Sequence, residues 1–242
     1  MTVEAIWHDV ECGAYAADLA LWEEVAATAA GPVLELGAGT GRVALELARH
    51  GHQVVALDSS PALLDVLQER ADADRLEIET IVADARGLHL GRRFAGILAP
   101  MQFVHILGGP GGRAEMLAAV VSHLAPEGTF AAALLDDEAV GGQTTGPPPL
   151  PDVREIDGWV YSSRPVEVAD VVGGLEIRRL RQAVSPAGDL DERTDAIHLD
   201  TLDAGEFEIE AAGHGLVPRE RIPVPATAEH VGSIVCVLEA GR

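Results

Sequence analysis

Three acids stand where three strand-like segments end. Glu35 lies inside VLELGAGTGR (33–42), an apolar run broken off by Gly37, Gly39 and Gly41; Asp58 closes QVVALD and Asp84 closes LEIETIVAD. A strand that ends in glycines and opens a helix offers a ligand bare backbone N–H groups and the positive end of a helix dipole. Any side chain at Gly37 or Gly39 would stand between that ligand and the backbone. Asp58, about twenty residues further on, is placed to accept both hydroxyls of a ribose. At the third end, an Asp84 carboxylate can accept from an amino group while the Ala85 N–H donates to a ring nitrogen, a match to the edge of adenine. Each aspartate alone reads more readily as a helix cap or a turn residue. Their occurrence at three successive strand ends is what points to one ligand. A dinucleotide fingerprint, G-x-G-x-x-G, needs glycine at position 42, where this chain has Arg42, so NAD or FAD is weakened.

The elements that must position these residues alternate. Apolar periodicity predicts a helix over 18–30, a strand at PVLELG, a helix over 40–50 and a strand at QVVALD. Ser60 and Pro61 then supply an N-cap and a first-turn proline for a helix at ALLDVLQERA. Strands follow at 76–84 and 94–99, a helix at RAEMLAAVVSHL and a fifth strand at GTFAAALLD. The βαβ succession predicts an α/β fold, a Rossmann-like doubly wound, mostly parallel sheet. Residues 137–152 break every period and read as a surface loop. Three alternating runs after it suit an antiparallel meander. Asp203 with Glu206 reads as a capping box for a last helix, and LVPRERIPV and SIVCVLEA as two closing strands. The expected organisation is a single domain over 1–242, with residues 137–202 an antiparallel β insertion over the site.

Composition removes several chemistries. All 17 basic residues are arginine, so a Walker A loop, a Schiff-base lysine and a Ser-x-x-Lys hydrolase are out. A net charge of −22 repels phosphate backbones and argues against a nucleic-acid partner. No apolar stretch approaches the roughly 20 residues of a membrane span, and MTVEAIWHDVE is not a signal peptide, so no membrane partner and a cytoplasmic location are expected. Cys12 and Cys236 stand far apart without a Cys/His cluster, so no metal site is expected.

VLELGAGTGR, VVALDSSPALL and IVADARGL, in this order and spacing, resemble the first three motifs of class I S-adenosylmethionine-dependent methyltransferases of the small-molecule type, over about residues 14–136. The resemblance implies S-adenosyl-L-methionine as cofactor and S-adenosyl-L-homocysteine as product. It implies that Gly37, Ala38 and Gly39 border the methionine part, with Glu35 orienting the loop. By the same match Asp58 holds the ribose, Ser59 and Leu63 flank the adenine, and Asp84 with Ala85 reads its edge. Tyr15, in CGAYAADL, resembles a tyrosine that closes over the methionine end. ILAPMQF places Pro100 beside the cofactor's methyl group and Met101 and Gln102 toward the acceptor. It lacks the (D/N/S)-P-P-(Y/F) signature of enzymes that methylate nucleobase amino groups. The insertion is similar in layout to the acceptor lid of sugar-amine and glycine N-methyltransferases.

Holding an acceptor lone pair in line with a sulfonium methyl supplies much of the acceleration, while a hydroxyl or carbon acid gains from a general base. His105, four residues past Met101, is the candidate base; a capping or half-buried histidine is the competing reading. Trp159 and Tyr161, two apart on a predicted strand, share a face and offer an aromatic wall to the acceptor, or simply pack on the main sheet. Arg178, Arg179 and Arg181 could clamp an acidic substrate but alternate between faces, so a solvated face is expected. The expectation is an enzyme that methylates a small molecule, on N, O or C, as a monomer or homodimer. An NAD-dependent Rossmann-type enzyme and a non-catalytic S-adenosylmethionine-binding protein are the alternatives.

Overall fold

The computed structural model describes residues 1–136, 150–227 and 230–241. Most of the predicted loop at 137–152 therefore lies outside the described residues. The chain runs α1 (Val3–Cys12), α2 (Leu19–Ala27), β1 (Val33–Leu36), α3 (Arg42–Arg49), β2 (Val54–Asp58), α4 (Pro61–Asp74), β3 (Ile78–Val82) and β4 (Phe94–Ala99). After a 3-10 turn at Phe103–His105 come α5 (Gly109–His123) and β5 (Leu124–Leu135). The remainder is β6 (Asp152–Ile156), β7 (Trp159–Val171), β8 (Gly174–Val184), β9 (Leu190–Asp200), α6 (Ala204–Gly213), β10 (Leu216–Val224) and β11 (Ser233–Ala240).

Seven strands form the main sheet in the order β10-β11-β5-β4-β1-β2-β3. β1 pairs in parallel with both β2 and β4, and β11 runs antiparallel to β5 and β10. Every residue of β1 is buried, as a strand covered by helices on both faces requires. Leu34 and Leu36 join Phe130, Phe207, Met116 and Leu117 on one face, while Val33 joins Trp22, Leu47 and Leu64 on the other. Glu35 thus points to the face of α2 and α3, among apolar side chains. The order in which strands are added to the sheet reverses between β1 and β4, and the crevice at their carboxyl ends is where open α/β sheets bind ligands.

β6 to β9 form a separate four-stranded antiparallel sheet. The sequence predicts three of these strands; β6 is missed because its side chains are half-exposed or exposed, with no apolar alternation to read. Its identity comes from pairing with β7. α1 is also missed. Its marks were present in the sequence: Thr2 Oγ1 caps the Ala5 N–H at 3.3 Å, and Trp7 and Val10 recur at helical spacing. α5 begins at Gly109, four residues before the helix predicted at RAEMLAAVVSHL. The second sheet is tied to the first through Asp200, whose carboxylate takes the Gly109 N–H at 2.6 Å and Arg113 at 3.2 Å.

Candidate active site

A cavity of about 730 Å³ opens at the carboxyl ends of β1, β2 and β4 and runs out beneath the second sheet. Its volume lies in the roughly 300–1,000 Å³ range of small-molecule sites. One end is lined by Leu57, Asp58, Ser59, Leu63, Asp84 and Ala85. The middle is lined by Gly37, Pro100, Met101, Gln102 and Phe103, and the far end by α1 and by Arg181, Arg193 and Ile197 of β8 and β9. Asp58, Asp84 and Gly37, from the three strand ends, therefore share one cavity. Met101 holds φ at +54°, a left-handed conformation that a non-glycine residue adopts at a cost of about 1–3 kcal/mol and that clusters at functional sites.

The glycine loop is bare for a reason the sequence did not disclose. Gly37 has φ +69° and a Cβ there would overlap the Phe103 ring; Gly39 has φ +55° and a Cβ would overlap the His8 imidazole. The immediate neighbours that demand glycine are thus two rings of this chain. Gly37 lines the cavity, whereas Ala38 and Gly39 lie behind it, with the Gly39 N–H donated to Asp58 Oδ2 at 2.8 Å. Asp58 Oδ1 accepts the Ser60 N–H at 2.9 Å. Each oxygen keeps a second lone pair, so the carboxylate is oriented without being used up.

His105 corrects the expected base. The residue is 1% exposed and does not line the cavity. Leu135 N–H donates to its Nε2 at 3.1 Å, and its Nδ1 lies 2.8 Å from the Asp200 carbonyl, the pairing of a ring that carries its proton on Nδ1. Both nitrogens serve backbone groups, so His105 holds the second sheet to β5. His105→Ala is expected to cost about 2–4 kcal/mol by unpairing two buried backbone groups, read as a lower urea midpoint, with the shape of the pH–rate profile unchanged. Loss of an ionisation from that profile in a folded variant would restore the base.

The histidine that does line the cavity is His8, on α1, with Nδ1 3.3 Å from Thr40 Oγ1. Burial lowers its pKa below the ordinary histidine value, so the ring is neutral at neutral pH and able to accept a proton. Nothing in the sequence placed a helix across the glycine loop. Tyr15, expected to close over the site, packs instead on Arg42 at 5.1 Å and on His230 at 4.8 Å, outside the cavity lining. Trp159 and Tyr161 share a face as predicted and stack at 6.2 Å, yet neither lines the cavity; Tyr161 supports the edge of Trp7, and Trp7 is the aromatic wall. Arg178 is exposed and solvated, but Arg181 lines the cavity and Arg179 is half-buried on Glu11 and Asp152.

The charges are arranged so that few are left over. Asp84 is held by Arg86 at 2.6 Å, which keeps its carboxyl below the usual range. Glu11 takes Arg181 at 2.7 Å. Glu35, 2% exposed, is pushed up to about 8 by burial, and its Oε2 has no hydrogen-bond partner among the described residues. A carboxylate with open lone pairs (Asp58), a second carboxylate beside the Ala85 backbone (Asp84) and the bare backbone of Gly37 on one cavity would fit a nucleoside-bearing cofactor, whereas Glu35 lies outside that lining. Among the described residues no cluster of His, Cys, Asp or Glu could hold a metal.

Residues 33–128 match a family described as a methyltransferase domain. A stretch of 53 residues is 47% identical to a probable ribosomal RNA small subunit methyltransferase A of Methanosarcina mazei; it covers 22% of this chain and 19% of that protein, so the chain matches about a fifth of that relative's length. Three solved structures share the fold from end to end. An S-adenosylmethionine-dependent methyltransferase from Clostridium acetobutylicum aligns over 98% of each chain with TM-score 0.77 and 14% identity. The CcbJ methyltransferase of Streptomyces caelestis is 25% identical over 95% of this chain and 98% of its own, with TM-score 0.69. The sugar N-methyltransferase KedS8 of a Streptoalloteichus species is 18% identical, covering 100% of this chain and 94% of its own with TM-score 0.76.

Proposed function

We propose that the chain is a class I S-adenosylmethionine-dependent methyltransferase, a reading supported by the methyltransferase-domain match over residues 33–128 and by the shared fold, and that it methylates a small molecule bound beneath the β6–β9 sheet. The observation that carries this reading is one cavity that reaches from the strand-end residues Gly37, Asp58, Asp84 and Pro100 to Trp7, Arg181 and Arg193 beneath the second sheet. Within it, Asp58 would hold the ribose hydroxyls, Ser59 and Leu63 would flank the adenine, and Asp84 with the Ala85 N–H would read its edge. Gly37 and the Pro100–Gln102 turn would border the methionine end. S-adenosylmethionine supplies an electrophilic methyl group on a sulfonium. What the protein supplies is position: the acceptor atom must lie in line behind that methyl, and enclosure by α1 and the second sheet orders it and excludes water.

KedS8, a sugar N-methyltransferase by its name, aligns with the whole of this chain, and this supports an acceptor of sugar-like size. The net charge of −22 opposes an RNA or DNA acceptor. The same reading has the protein working in the cytoplasm as a monomer or homodimer; no described helix is long and apolar enough to cross a membrane.

Calorimetric titration with S-adenosylhomocysteine and with NADH tests the donor site. Tight binding of the first and none of the second is expected, and the reverse would establish a dinucleotide enzyme. Asp58→Ala should weaken S-adenosylhomocysteine by about 2 kcal/mol, roughly thirtyfold, through loss of charge-assisted hydrogen bonds; unchanged affinity would remove Asp58 from the site.

A further inference from the structure

We propose that the methyl acceptor carries an oxyanion, a carboxylate or a phosphate, and that Arg193 on β9 binds it over the face of Trp7. The assignment rests on the methyl-transfer reading only for what the anion belongs to. Its basis is a like-charge pair set into the cavity wall. Arg181 and Arg193 are direct partners in the β8–β9 ladder, and both line the cavity. Like charges directly opposite on adjacent strands destabilise a sheet. Both guanidinium groups also lie against the same indole, with Cζ atoms 5.4 Å (Arg181) and 5.2 Å (Arg193) from the Trp7 ring.

Only one of the two guanidinium groups is ion-paired, and the other, Arg193, is on an exposed residue. Arg181 is held by Glu11 at 2.7 Å and by Asp195 at 3.0 Å. Arg86, the third arginine of the cavity, is held by Asp84. No carboxylate among the described residues lies within 4 Å of Arg193, in a chain where acids outnumber bases 39 to 17. With so many acids available, an arginine left unpaired at a cavity wall beside a second arginine is a vacancy for an anion from outside. Its geometry suits one. Held over Trp7 with its Cζ 5.2 Å from the ring, the guanidinium keeps a fork of N–H donors that can meet two oxygens of a carboxylate or phosphate.

Two acids of the cavity, Glu4 and Asp58, have no ion-pair partner among the described residues, and neither is paired with Arg193. Glu4 lies in the first turn of α1, where Ala5 packs on Leu63 and Val66 beside the nucleoside end. Arg193 lies on the second-sheet side of the middle of the same helix, over Trp7, which packs with Val10 on Ala183 one turn beyond Glu4. The anion therefore binds on the second-sheet side, and the acceptor atom reaches back toward Pro100 and Met101.

The test is calorimetric titration with pyrophosphate and, separately, with malonate, each with and without saturating S-adenosylhomocysteine, on the unaltered protein, on Arg193→Gln and on Arg164→Gln. Arg164 is an exposed arginine on β7 that does not line the cavity. Binding of at least one probe that weakens tenfold or more in Arg193→Gln, and is unchanged in Arg164→Gln, is expected; which probe binds tells phosphate from carboxylate. Binding of neither probe, or equal binding to Arg193→Gln, overturns the proposal. The titrations without nucleoside keep this result separate from the donor site, whose failure would show as absent S-adenosylhomocysteine binding.

Discussion

Asp18→Ala is expected to destabilise the protein by about 3–5 kcal/mol, the cost of stranding a buried charge. The Asp18 and Arg42 side chains are only 3% and 8% exposed, and their carboxylate and guanidinium meet in a two-pronged pair, Nη1 to Oδ1 at 2.5 Å and Nη2 to Oδ2 at 2.9 Å. The Trp22 indole N–H donates to the same carboxylate at 2.7 Å. Alanine leaves Arg42 with the Tyr15 carbonyl at 3.0 Å and the Tyr15 ring, and leaves the indole N–H unpaired. Against a typical total of about 5–15 kcal/mol, the loss is large. Urea unfolding measures it, and a loss below about 1 kcal/mol would show that the pair is dispensable. Arg42→Met on the Asp18→Ala background should restore much of the stability, because the uncompensated charge is gone. Arg42 is the residue that breaks the dinucleotide fingerprint. Here it is a buried cation at the start of α3, binding the glycine loop to α2, and Arg42→Gly would strand Asp18 rather than create an NAD site.

Glu35→Gln is expected to act in the opposite direction, and only above mildly acidic pH. The carboxyl releases its proton near 4.5 in an unfolded chain and near 8 in the folded protein. Between these values the folded state holds more protons than the unfolded state, so stability is greatest below about pH 4.5 and falls as pH rises toward 8. At pH 7 the difference is on the order of 3 kcal/mol. Glutamine carries no charge to desolvate and can keep accepting the Ala44 N–H that serves Glu35. The variant should therefore match the parent near pH 4.5, exceed it by a few kcal/mol at pH 8, and flatten the profile between. Denaturant midpoints at the two pH values read this directly, and parallel profiles would mean that Glu35 is solvated in solution.

Much of the first sheet is legible in the sequence because its strands are short apolar runs and its helices have local start marks, such as Ser60-Pro61 before α4 and the capping box at Asp203 and Glu206. Asp58, Asp84 and Gly37 are legible for the same reason: a residue at the carboxyl end of a parallel strand has its place decided by local pattern and by the handedness of βαβ units. His105 and Tyr15 are misread because short spacing from a motif says how near a residue is along the chain and not which way it faces. Trp159 and Tyr161 are read to the correct face of their strand but to the wrong layer, with Trp7 lying between them and the cavity.

By itself, the sequence determined the α/β class, the strand-end positions of Gly37, Asp58 and Asp84 that share the cavity and, through the absence of lysine and the acidic charge, which chemistries are closed to it. These depend on periodicity, on glycine and proline, and on composition, all of which act over a few residues or over the whole chain. Only the tertiary structure decided what covers the glycine loop and what walls the far end of the cavity. α1 and β9 are about 180 residues apart in the chain, and Trp7, His8, Arg181 and Arg193 meet because a helix and a sheet pack across the cavity. Contacts of that kind are set by the packing of apolar faces, which does not record in the sequence which polar side chains it brings together.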